Sequence, residues 1–180
     1  LARWLRRTLV EGGWMSVAAG RSRRGAAGGG LRRAVAELLA VDPRQREGQP
    51  VASALADLGV TDLREGEGIA AWLLGATPAP APGRVVHMVE AVVRAASARR
   101  PLLIGLDDLD QASEGDLAVL EPLLLRLKAR PAPVMVLVTR RADEPLLGAL
   151  EGAGILKEGL QANDKVREST FFVFWIVFFV

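Results

Sequence analysis

The chain has 180 residues, half of them apolar and about a quarter charged, the composition of one globular domain with a sizeable core rather than of a disordered segment. Lysine and arginine number 23 against 21 aspartates and glutamates, and this small net charge of +2, spread along the chain, gives little reason to expect contact with nucleic acid. The absence of cysteine excludes disulfides and thiolate metal sites and fits a reducing, cytoplasmic compartment, while a single histidine excludes a multi-histidine metal cluster and argues against a Ser/His/Asp triad.

In chain order, residues 1–10 read as an amphipathic helix, with Trp4, Leu5 and Leu9 on one side and arginines on the other. The pattern opens in mid-helix without a cap, the expectation for a chain whose natural start lies upstream. Residues 14–19 form a strand candidate and 20–30 a Gly/Arg-rich loop. Arg21, Arg23 and Arg24 in that loop are read as solvated, with contact to phosphates or nucleic acid as the alternative. Helices are predicted over 31–41, 51–58 and 69–74, with a polar loop at 43–50. Residues 77–83 (TPAPAPG) form an extended, solvated linker.

A helix over 85–98 carries Val85, Met88, Val89, Val92 and Val93 inward. Its charged residues Glu90 and Arg94, with Arg99 and Arg100, read as an exposed face, and His87 as a structural or surface residue. A strand follows at 102–106. A helix over 113–129 begins with Ser113 as cap and an acidic first turn, which suits the helix dipole. Pro122 should kink or break it. A second strand is predicted at 134–138 and a last helix from 145. Alternation of strands and helices indicates an α/β fold with a parallel sheet.

The chemistry concentrates where the two strands end. LLIGLDD closes in Asp107 and Asp108; VMVLVTRR closes in Thr139, Arg140 and Arg141. Buried parallel strands read as continuous apolar runs, and ligands of open α/β sheets bind beyond their carboxyl ends. Carboxylates beside a hydroxyl and a guanidinium suit a magnesium ion and a phosphate, because a carboxylate holds the metal and an arginine fork binds phosphate oxygens. The bland alternatives are a solvated Asp-rich turn after the first strand and a helix-capping Thr139 with solvated arginines after the second.

The segments RPLLIGLDDLDQASEGDLAVLEPLLLRL and PVMVLVTRRADEP resemble the Walker B to sensor 1 region of STAND-type AAA+ ATPases, the origin-recognition-like ATPase module of large signalling and transcriptional regulators. The resemblance covers residues 83–145 and, less closely, 1–40; it fails beyond about residue 159. It implies a P-loop NTPase (ASCE/AAA+) three-layer α/β/α sandwich over residues 1–160. It also implies ATP and Mg2+ as cofactors, Asp107 as the magnesium residue and Asp108 as the catalytic acid. Thr139 and Arg140 would face the terminal phosphate, with Arg141 the alternative to Arg140. The implied partners are effector domains of the same polypeptide, such as LuxR-type DNA-binding, nucleotide cyclase or protein-kinase domains, with no direct nucleic-acid contact by this segment and no membrane.

The family's phosphate loop, G-x-x-x-x-G-K-[ST], does not occur in the sequence. The nearest match, Gly20 to Ala27, has the glycine spacing but has Ala26 and Ala27 in place of the lysine and hydroxyl. The loop is therefore expected upstream of Leu1, with residues 1–10 completing the helix that follows it. Without the strand that bears the loop, the strand at 134–138 should have an unpaired apolar edge, a hazard for self-association. The alternative is a nucleotide-independent interaction scaffold of the same fold. Residues 161–170 read as a polar connector. All five phenylalanines fall in the last ten residues, FFVFWIVFFV. That run is read three ways: a foreign or misjoined terminus, a locally packed strand that could cover the open edge, or the first half of a membrane span, since as a helix it would reach about 15 Å.

Overall fold

A computed structural model describes residues 15–22, 29–42, 49–60, 63–75, 80–141, 157–162 and 171–178. Its strands are β1 (Ser16–Arg21), β2 (Leu102–Asp107), β3 (Val134–Arg141), β4 (Lys157–Ala162) and β5 (Phe171–Phe178). Its helices are α1 (Gly30–Leu38), α2 (Gln49–Leu58), α3 (Leu63–Leu73), α4 (Pro82–Arg99) and α5 (Glu114–Ala129), with a short 3-10 turn at Leu109–Gln111. The helices expected at 1–10 and from 145 lie outside the described residues.

The strand order is β1-β2-β3-β5-β4. β1 pairs parallel with β2, from Ser16 opposite Leu102 to Arg21 opposite Asp107. β2 pairs parallel with β3, from Leu102 opposite Val134 to Leu106 opposite Val138. These three adjacent parallel strands and five helices make an α/β fold, as the alternating pattern predicts. The expected open edge of β3 is occupied: β5, the Phe-rich segment, pairs with it antiparallel and in turn pairs with β4. Of the three readings of that segment, the backbone follows the strand. A run of β-branched and aromatic residues favours a pleated ribbon over a helix. Among the described residues no helix is long and apolar enough to cross a membrane.

Alternate residues of a strand face opposite sides of the sheet. Ala18, Leu102, Ile104, Leu106, Val134, Val136 and Val138 face one side and form the main core with all five helices. Leu31, Ala34 and Val35 of α1, Val85, Val89 and Val92 of α4 and Leu120, Leu123, Leu124 and Leu127 of α5 belong to that core. The other side carries a smaller cluster of Met15, Leu103 and Leu137. The second helical layer of a three-layer sandwich is not among the described residues.

Ser113 caps α5 by accepting a hydrogen bond from the Asp116 amide at 3.1 Å, and Glu114 and Asp116 occupy the first turn, as read from the sequence. Burial pushes the Asp116 carboxyl up, against the smaller opposing pull of the Ser113 hydroxyl and Arg32. Pro122 does not break α5; the helix runs through it, and Ala118 loses the amide that would ordinarily bond its carbonyl. α4 begins at Pro82, inside the segment read as linker, because proline is well suited to a helix's first turn.

Glu90 corrects the reading of an exposed face. It is only 8% exposed, clamped between Arg94 Nε at 2.8 Å and Arg126 Nη1 at 3.2 Å. Burial raises its pKa, but the hydrogen bonds and charges of the two arginines outweigh that effect and hold the carboxyl below its ordinary range. Arg94 also donates to the carbonyl of Arg130 just beyond α5, so one side chain ties α4 to the end of its neighbour.

Candidate functional site

The carboxyl ends of β1, β2 and β3 lie side by side, and parallel pairing brings their last residues to one rim. Asp107, half-buried, ends β2. Its Oδ1 accepts a hydrogen bond from the Thr139 hydroxyl of β3 at 2.5 Å. The same Thr139 oxygen accepts from the Asp108 amide at 3.1 Å. One hydroxyl therefore bridges the two positions read as metal residue and catalytic acid. The short charge-assisted bond fixes the Asp107 carboxylate beside β3.

Asp108 leaves the strand in the left-handed region, at φ 52° and ψ 49°. Aspartate tolerates this conformation better than most residues, though it remains strained. The turn starts the 3-10 segment, in which Gln111 donates its amide to the Asp108 carbonyl at 2.9 Å. It also brings the Asp108 carboxylate to β1, where Oδ2 accepts from Arg21 Nε at 2.6 Å. The hydrogen bond and charge of Asp108 raise the Arg21 pKa further above its ordinary range. Arg21 is largely exposed, so water screens the pair.

Thus the structure brings together Asp107, Asp108 and Thr139, the residues singled out in the sequence. Arg140 lies in β3, opposite Phe172 of β5, but its side chain and that of Arg141 are outside the described residues. His87 is exposed on α4. Arg21 was read as a loop residue; β1 in fact extends through it, two residues past the expected end, and it becomes the partner of Asp108. Strand length gave no signal, since the candidate at 14–19 is also six residues; pairing with β2 is what brings Arg21 level with Asp107.

The donor set fits magnesium as that ion is usually held in nucleotide sites, by one or two carboxylates with the remaining ligands from water and phosphate. No group of three or more His, Cys, Asp or Glu able to hold a metal occurs among the described residues. An all-protein cage is therefore not what these residues offer. Comparison with protein-family models, with curated proteins and with solved structures finds no match to this chain.

The hydroxyl bridge predicts its own test. Thr139→Val keeps the shape but leaves the Asp108 amide and Asp107 Oδ1 without this partner. It is expected to cost about 1–2 kcal/mol, read from urea denaturation midpoints. An unchanged midpoint would show that the bridge carries no weight.

Proposed function

We propose that this chain carries the Walker B and sensor 1 half of a P-loop NTPase module of the STAND AAA+ kind, in which ATP binding and hydrolysis switch an attached effector domain. The observation that supports this most directly is the Thr139–Asp107–Asp108 arrangement at the ends of adjacent parallel strands. In this reading Asp107 holds magnesium, which when bound would neutralise charge on the transferring phosphoryl group. Thr139 keeps the Asp107 carboxylate oriented toward the rim. Asp108 orients the attacking water once its carboxylate is released from Arg21. Arg140 offers a guanidinium to the terminal phosphate.

The engagement of Asp108 by Arg21 favours a second reading, a scaffold of the same fold that does not use nucleotide, because the ion pair occupies the carboxylate that hydrolysis would need. The sequence encoded just upstream of Leu1 separates the two. A G-x-x-x-x-G-K-[ST] loop there supports the ATPase, and a stop codon before any such loop supports the scaffold. In the gene product bearing that loop, Asp107→Asn should lower magnesium-dependent turnover about a hundredfold, the equivalent of roughly 3 kcal/mol of barrier. The 180-residue chain alone should show no turnover, since no lysine and hydroxyl follow its nearest glycine pair. Magnesium-dependent ATP hydrolysis by this chain would overturn that expectation.

A further inference from the structure

Ser22, the residue after β1, has no role assigned in the ATPase reading, yet its side chain is an unsatisfied polar group. Ser22 follows β1, and its amide donates to the Asp107 carbonyl at 2.9 Å. The residue is 1% exposed, and its Oγ is buried with no hydrogen-bond partner. Such an atom is costly unless something completes it. The hydroxyl faces the first residue of α1: a Cβ on Gly30 would fall 2.5 Å from Ser22 Oγ. Gly30 has φ +24°, and any side chain there would run into the hydroxyl.

The start of α1 is equally incomplete. Gly29 at the N-cap supplies no side-chain acceptor, and the first turn contains no acidic residue. The first backbone bond of this nine-residue helix runs from the Arg33 amide to the Gly29 carbonyl at 3.4 Å. The amides of Gly30, Leu31 and Arg32 therefore have no acceptor within the helix. Arg32 and Arg33 place positive charge where the helix dipole disfavours it, although Arg32 already feels the buried Asp116 carboxyl and Arg33 is exposed to solvent. The Arg32 guanidinium lies 5.3 Å from the centre of the Trp72 ring and its Nε is buried without a partner.

We infer that Ser22 and the first-turn amides of α1 form an oxyanion site for a phosphate group. The ligand would accept from the hydroxyl and from the amides, and its charge would match the positive end of the helix. The nearby rim carboxylates oppose it; Asp108 is paired with Arg21, a pair that water screens, and Asp107 is bonded by the neutral Thr139 hydroxyl. The site belongs to α1, not to the helix at 1–10 expected to follow the phosphate loop, and does not depend on the ATPase reading.

Titration of this chain with inorganic phosphate, without magnesium and at constant ionic strength set with chloride, tests the site. The expected result is a saturable rise in melting temperature, with amide chemical-shift changes centred on Gly30, Leu31 and Arg32. Ser22→Ala should weaken phosphate binding about tenfold or more, while the phosphate-free variant melts no lower than the parent. A parallel titration with ADP identifies the source: tighter binding than phosphate assigns the site to a nucleotide's phosphate, equal or weaker binding to free phosphate. No saturable phosphate effect in the parent chain, or undiminished binding by Ser22→Ala, would overturn the site.

Discussion

Gly20→Ala is expected to destabilise the protein by about 3 kcal/mol, near the upper end of the usual overpacking cost. A Cβ at this position would fall 1.7 Å from the Gly30 carbonyl oxygen and 2.7 Å from its carbon. Both are backbone atoms, so no rotamer change relieves the overlap. Either β1 or the start of α1 must move, and each is tied: Gly20 pairs opposite Leu106 in the sheet, while Leu31, Ala34 and Val35 of α1 are sealed in the core. Gly105→Ala is the internal control. Its added Cβ would meet the Ala19 Cβ at 3.7 Å, an ordinary contact, and should be tolerated within about 0.5 kcal/mol. Urea denaturation of both variants separates a steric clash from any general intolerance of alanine in these strands. Equal midpoints for the two would refute the close approach.

The second large effect is expected at Leu106→Ala. Leu106 is 1% exposed and belongs to the main core, directly before Asp107 on β2. Removing three buried carbons there should cost about 3 kcal/mol from lost burial and from the cavity left behind. Leu125 on α5 is 43% exposed, the one exposed large hydrophobic residue among those described. Leu125→Ala should therefore stay within about 0.5 kcal/mol of the parent. A small effect at Leu106, matching that at Leu125, would mean that the sheet does not pack against the helices as described.

The elements easiest to read were those whose signal is local. The apolar runs of β2 and β3 bounded by charge, the periodicity of α4 and the Ser113 cap each depend on residues within one element, and all are present. Features that depend on distant partners were harder to read. Glu90 is buried and bonded by Arg126 from α5, a partner its own stretch of sequence does not reveal, so its charge alone pointed outward. The bond between Arg21 and Asp108 spans 87 positions, and the left-handed turn at Asp108 has no marker in an aspartate pair. α3 begins at Leu63, six residues before the helix read from the sequence, because two glycines dilute the apolar pattern. One of them has a packing reason: a Cβ on Gly68 would collide with the Met88 sulfur of α4. β4, KEGLQA, shows too little alternation to read as a strand and takes its place through pairing with β5.

The parallel ladder that forms the rim joins segments at very different distances along the chain. β2 meets β3 across about 32 residues, whereas β1 reaches β2 across about 86. Chain-closure entropy makes the longer contact costlier by about 0.9 kcal/mol. Low contact order also speeds formation, so the span from α4 to β3 has the kinetic advantage in assembling first. The hydroxyl bridge from Thr139 to Asp107 lies within that early unit. The contacts made by Arg21 and Ser22 need the longer closure that joins β1 to β2, so the two halves of the rim differ in the chain entropy each must overcome.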